Sequence, residues 1–265
     1  MAYTIPIYGG WLDNILLDAT ITGTAPSTSY ALATLNNGNP GQRVRWGATT
    51  VTVTFTLGSS KLGEVITIPM HNITPGSTTV AVLTNAAGLS VNLPVPALQS
   101  DGFPPTLAYD FSASTNKTSN AWTLTITSNS ANVILGGAIA IYPKKTFTGL
   151  SLNGTIRFEV KDGETRNKVE ATNEYASIYV QDYGTVSGDK EIVAVGTNAA
   201  IVGFLSWYRT NYGGVRPGLL WVDPSDANGG LYGRWPDRYE QNAVTSKHKT
   251  VSILYRIWPK GEKIS

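Results

Sequence analysis

Thr50-Val51-Thr52-Val53-Thr54-Phe55-Thr56-Leu57 alternates polar and apolar residues without a break. A strand turns successive side chains to opposite faces. Val51, Val53, Phe55 and Leu57 therefore share one face, and four threonines share the other. Burying each apolar side chain is worth about 1.5–3 kcal/mol, and a slip of one residue would turn all four into water. Thr, Val and Phe also favour strands over helices. The stretch reads as a strand with one dry face and one wet but uncharged face. Trp122, Leu124 and Ile126 repeat the pattern against Thr123, Thr125 and Thr127.

Further strands are expected at Ile15–Thr22, Leu62–Pro69, Thr78–Thr84, Leu107–Ala113 and Val133–Tyr142. Turn chemistry separates them: Asn37-Gly38, Asn39-Pro40-Gly41, Thr74-Pro75-Gly76, Asp101-Gly102 and Pro104-Pro105. Gly and Asn tolerate positive φ, and Pro presets φ for a turn. Short strands at this spacing point to a β-sandwich or jelly roll. No helical pattern longer than two turns occurs before residue 145.

The charges then change. Residues 1–145 hold six basic and five acidic residues, and residues 146–265 hold the other fourteen and thirteen. This shift marks a boundary between a first domain, 1–145, and a second, 146–265. In the second, Ile156, Phe158 and Val160 alternate with charged residues. Tyr175–Gln181 and Glu191–Val195 also read as strands. Ile201, Phe204, Leu205, Tyr208 and Tyr212 fall at helical spacing, with Thr197 or Asn198 to cap the start and Gly213-Gly214 to stop the helix. Strands Gly218–Val222 and Leu231–Trp235 follow, and a last one carries Val251, Ile253, Tyr255 and Ile257. The fold class expected is mainly β: an N-terminal β-sandwich or jelly roll, then a β-rich domain with one α-helix.

The chain has 265 residues, a formal net charge of +2, two His and no Cys. That length suits two domains or one large β domain. The absence of Cys excludes disulfides, thiol nucleophiles and Cys-ligated metal centres. Near-neutral charge argues against a nucleic-acid or membrane-surface protein. The N-terminus has neither the basic start nor the apolar run of a secretory signal. No stretch approaches the roughly 20 apolar residues of a membrane span.

Reactive constellations are sparse. His71 and His248 are the available imidazoles, and no G-x-S-x-G elbow accompanies them; a hydrogen-bonded structural role is the reading for His71. There is no H-E-x-x-H zinc motif. Asp223–Gly230 is rich in oxygen ligands, but its spacing is not that of an EF-hand; it reads as an Asx-type turn, with calcium as the alternative. Asp13, Asp18, Glu64, Asp101 and Asp110 form no distinctive motif, so a glycosidase pair is not legible. Gly136-Gly137 lacks the G-K-[ST] of a phosphate loop and reads as a bulge or close backbone approach. Trp207, Trp221, Trp235 and Trp258 suit a core or a subunit interface better than a sugar platform. No cofactor, metal ligand set or catalytic group is expected.

Two stretches resemble known proteins. Ala31-Leu32-Ala33-Thr34-Leu35-Asn36-Asn37-Gly38-Asn39-Pro40-Gly41-Gln42-Arg43-Val44-Arg45-Trp46 is followed by Val51–Leu57 and by Ile66–Asn72, which ends in His71-Asn72. That order resembles the discoidin-like, galactose-binding-like jelly rolls of tailed-phage tail proteins. Gly218-Leu219-Leu220-Trp221-Val222-Asp223-Pro224 through Leu231-Tyr232-Gly233-Arg234-Trp235 is similar to a segment of the same proteins that also follows a helix. Asn36-Asn37-Gly38 stands where the pattern has an acidic turn, and the sandwich comes first where the usual distal tail protein has it second.

The resemblance implies a non-enzymatic structural protein of a tail tip or baseplate. It would be assembled in a host cytoplasm and located in the virion, as a homo-oligomer (ring or trimer) in contact with other tail proteins. It also implies loops at one end of the sandwich that hold a sugar, with Trp11, Arg45 and Trp46 as candidates. A carbohydrate-binding module for host cell-surface glycans is the alternative function, and a glycan-cleaving enzyme the third.

Overall fold

The computed structural model describes residues 7–27, 30–98, 104–129, 132–147, 150–152, 168–172, 178–182, 190–212, 217–221, 224–225, 230–234, 239–243 and 248–257. Strands of the first part are β1 (Ile7–Gly9), β2 (Thr20–Gly23), β3 (Asn39–Trp46), β4 (Thr50–Leu62), β5 (Val65–Ile68), β6 (Val80–Asn85), β7 (Ser90–Leu93), β8 (Leu107–Asp110), β9 (Thr118–Thr127), β10 (Val133–Gly137) and β11 (Ala140–Tyr142). Then come β12 (Leu150–Leu152), β13 (Lys168–Thr172), β14 (Ile178–Asp182), β15 (Lys190–Thr197), helix α1 (Asn198–Tyr212), β16 (Pro217–Trp221), β17 (Gly230–Arg234), β18 (Tyr239–Ala243) and β19 (His248–Ile257). The molecule is mainly β, with antiparallel sheets and one α-helix among the described residues, as the alternation and turn spacing imply.

A five-stranded sheet in the order β2-β4-β9-β6-β7 forms one layer of a sandwich. The facing layer is built from the pair β3–β10 and the sheet β11-β5-β8, linked by a bridge between His71 and Leu135. Val51, Val53, Phe55, Trp122, Leu124 and Ile126 point inward from the first layer. They pack with Val44, Trp46, Ile66, Ile68, Leu107 and Leu135 of the second in one buried cluster. The inward residues on β4 are those that the period of two selects.

Four expected strands are shorter or divided. Ile15 and Leu16 are buried, yet they lie in turns; the strand begins at Thr20. The buried Asn14 side chain accepts hydrogen bonds from the Leu16 and Ile141 N–H groups, which bends the chain before the ladder starts. Val133–Tyr142 breaks into β10 and β11 because the register shifts between Gly136 and Gly137. There the backbone is so close that a Cβ on Gly137 would lie 2.4 Å from the Thr34 carbonyl oxygen. β8 stops at Asp110, whose carboxylate accepts from the Ser112 N–H in an Asx turn. Leu62 ends β4 and β5 starts at Val65, so the expected strand Leu62–Pro69 spans a turn.

A second sheet runs β1-β16-β17-β19-β15-β12, with β18 beside β19; β13 and β14 form a separate hairpin. β15 continues into α1, and the Thr197 hydroxyl caps it by accepting from the Ala200 N–H at 3.3 Å. Ile201, Phe204, Leu205 and Tyr208 are buried along the helix face that the spacing marks. The strand expected over Ile156, Phe158 and Val160, the Gly213-Gly214 stop, Trp235 and Trp258 lie outside the described residues.

The edge strand of this second sheet comes from the other end of the chain. β1 pairs with β16, Ile7 opposite Trp221 and Gly9 opposite Leu219. Tyr8 lies edge-on to Phe147 and Trp207, and Phe204 joins the same cluster. Trp207 donates its indole N–H to Asp13 at 2.7 Å, and Asn211 accepts from the Leu12 N–H at 3.1 Å. Gly10 leaves space for that side chain: a Cβ there would meet Asn211 Cγ at 2.3 Å. Ring packing and charge-assisted bonds thus tie the chain start to α1.

Candidate functional site

The half-buried indole of Trp11 opens a 3₁₀ turn, Trp11–Asp13, directly after β1. It sits on the Asn37-Gly38-Asn39 turn. Gly38 has φ of 78°, and a Cβ there would lie 1.9 Å from Trp11 Cζ3. Both facts require glycine, since a positive φ costs other residues and the ring fills the Cβ position. Asn37 Oδ1 accepts from the Asn39 N–H at 2.9 Å, and Asn39 Oδ1 accepts from the Gly41 N–H at 3.0 Å. The Asn37 amide also donates to Gln42 Oε1. An aromatic plane and three exposed or half-exposed amides therefore share one loop surface. The Asn39 and Gln42 amide NH₂ groups donate to no protein acceptor among the described residues.

The structure removes one of the three sugar candidates from the surface. Trp46 is fully buried, 0% exposed, and donates its indole N–H to the Thr24 carbonyl at 2.8 Å. It shares the inward face of β3 with Val44, as strand parity requires, and offers no plane to a ligand. Arg45 is exposed on the outward face, where Ser27 bonds to its carbonyl. β3 is not extended throughout: Arg43 pairs with Gly136 and Asn39 with the adjacent Gly137, so the backbone of residues 40–42 bulges out between them. Trp11 seats against Gly38, just before β3, and Arg45 lies one residue from its end. Asn37, Asn39 and Gln42, which share this loop surface with Trp11, were not among the candidates. Their visible signal was the Asn-Gly turn, which the sequence marks only as a turn; its pairing with Trp11 is tertiary.

Glu64 and Asp110 are engaged by lysines. Glu64 takes the Lys117 ammonium at 2.6 Å and the Lys144 N–H at 2.9 Å. Asp110 takes the Lys144 ammonium at 2.7 Å. Burial alone would raise the Asp110 carboxyl, but bonds from Lys144 and Ser112 outweigh it and hold it below the usual carboxylate range. His71 is wholly buried. Its Nε2–H donates to the Pro105 carbonyl at 3.0 Å and its Nδ1 accepts from the Ile73 N–H at 3.1 Å, which fixes the neutral tautomer. Burial lowers its pKa to about 4. No group of three or more His, Cys, Asp or Glu able to hold a metal ion occurs among the described residues, and the Asp223–Gly230 loop lies mostly outside them. No described helix is long and apolar enough to cross a membrane.

No family model matches the sequence, and no curated protein sequence matches it. Solved structures do. The chain is similar to a GH29 fucosidase of Ruminococcus gnavus in complex with fucose, with 12% identity and a TM-score of 0.39 over 51% of this chain and 28% of that one. It is similar to chitosan-binding module 1 from a chitosanase/glucanase of Paenibacillus sp. IK-5, with 14% identity and a TM-score of 0.38 over 49% of this chain and 98% of the module. A third is CBM32 of AlyQ in complex with 4,5-unsaturated mannuronic acid, with 16% identity and a TM-score of 0.35 over 46% of this chain and 93% of the module. The chain spans less than a third of the fucosidase and nearly all of each binding module.

Proposed function

We propose that the protein is a non-enzymatic binding module whose sandwich takes a glycan at the Trp11 loop. One observation supports this reading above all: a half-exposed indole seated against a turn whose amides keep unused donors. Sugars present C–H faces to aromatic planes and hydroxyls to planar amides, and binding sites combine an apolar wall with a few placed polar groups. In this proposal residues 1–145 carry the ligand and residues 146–265 carry assembly contacts, with β1 crossing between them. The test is a glycan array on the whole chain. Specific binding, lost in Trp11→Ala and weakened in Gln42→Ala, is the expected result. A blank array for the folded protein overturns it.

The second reading, a virion tail-tip or baseplate component acting as a homo-oligomer, is favoured by a different observation. The first strand pairs into the sheet of the second part and is tied to α1, which favours a rigid block of the kind a particle subunit needs. A particle subunit needs that stiffness to transmit load. Co-sedimentation with purified virions tests it, and its absence from particles removes it.

A further inference from the structure

The outward face of the sandwich sheet is a threonine grid. Three threonine pairs stand opposite one another across β4 and β9: Thr50 with Thr127, Thr52 with Thr125, and Thr54 with Thr123. Their Oγ1 atoms lie 3.4, 3.5 and 3.0 Å apart. Val80 and Val82 continue the same rows on β6, with Val80 45% exposed. Thr20 and Thr22 extend the grid onto β2, and Ser90 and Asn92 onto β7. Among these described positions none is charged.

Removing a hydroxyl from water is costly only when it loses its hydrogen bond. Here the hydroxyls of β4 and β9 bond sideways to each other. Within each pair one O–H donates and the other oxygen accepts, so three of the six protons keep a partner if the face is covered and the other three are left to donate across the contact. Beside them stand the γ-methyl groups and the two valines. The face thus offers methyl groups and one unspent hydroxyl proton per pair, without charge, and a like face can answer both.

We propose that this grid is a homotypic contact, packed face to face on the same grid of a second copy. A neutral partner is required, because nothing on the face would pair a charge. A second copy supplies one with identical spacing, and a two-fold axis makes any such patch meet itself. Two sheets with the same right-handed twist pack aligned at about −30°. With strands about 4.8 Å apart and a rise of about 3.4 Å per residue, the grid projects to roughly 500 Å². A standard interface buries about 800 Å² of accessible surface per partner, and a pleated face has more accessible surface than its projection. The grid is therefore large enough for a specific contact, at the small end of the range, so the pair dissociates on dilution. This inference is independent of the Trp11 loop.

Sedimentation equilibrium of the full chain over a wide concentration range tests it. A monomer–dimer equilibrium is expected. The double variant Thr54→Arg/Thr125→Arg should be monomeric throughout. Asn92→Arg, on an exposed edge position that tolerates a long side chain, should weaken the dimer at least tenfold even if the central variant fails to fold. Thr54→Val/Thr123→Val removes both hydroxyls of one pair together and should keep or tighten the dimer. A wild type that stays monomeric at every concentration, or a dimer indifferent to Asn92→Arg, overturns the proposal.

Discussion

Acid should destabilise this protein through one buried imidazole. His71 bridges the segment after β5 to Pro105 and backs onto Leu135 of β10, with no exposed surface. Protonating Nδ1 would set an N–H against the Ile73 N–H and place a charge in the core. Burial accordingly depresses the pKa from 6.5 to about 4. The unfolded chain takes up a proton below pH 6.5 and the folded chain does not. The stabilisation is therefore complete above pH 6.5, falls as pH drops toward 4, and levels off below. Each unit between these limits costs about 1.4 kcal/mol, so the window holds about 3 kcal/mol. That is a large share of the 5–15 kcal/mol typical of a domain. Urea unfolding at half-unit steps from pH 8 to pH 4 measures it. His71→Gln keeps a donor and an acceptor without titrating; it should be less stable at pH 8 but lose the slope. Equal slopes in wild type and His71→Gln, or an imidazole NMR titration near pH 6.5 for His71, would refute the reasoning.

Asn14→Ala should cost about 2–5 kcal/mol in chemical unfolding, because the Leu16 and Ile141 N–H groups lose their buried acceptor together. Gly137→Ala drives a Cβ into the Thr34 and Asn39 carbonyl oxygens; calorimetry should show a loss of about 1–3 kcal/mol, and no change in Tm would contradict the close approach at this bulge. Thr197→Ala removes the cap of α1 and should cost about 1 kcal/mol, with Thr197→Ser restoring most of it. Trp122→Ala, at 0% exposure in the sandwich centre, should cost about 3–5 kcal/mol.

Local chemistry determined much of this molecule. The two-residue period of β4 and β9 sets which side chains are dry, because a strand has only two faces. The helical spacing of Ile201, Phe204, Leu205 and Tyr208 marks the buried side of α1, whereas Trp46, expected at a sugar, lies in the core beside Val44. Asn37-Gly38 announces a positive φ, and Gly38 has it. What lay beyond reach was pairing at long range. β1 meets β16 across more than two hundred residues, Trp11 finds Gly38, and Asp13 finds Trp207. No local period encodes such meetings. They depend on which surfaces remain to be covered once the sandwich has closed, and that is a property of packing in three dimensions. The same reason seats Trp11 on the turn before β3: ring and turn are both visible in one dimension, and only packing brings them together.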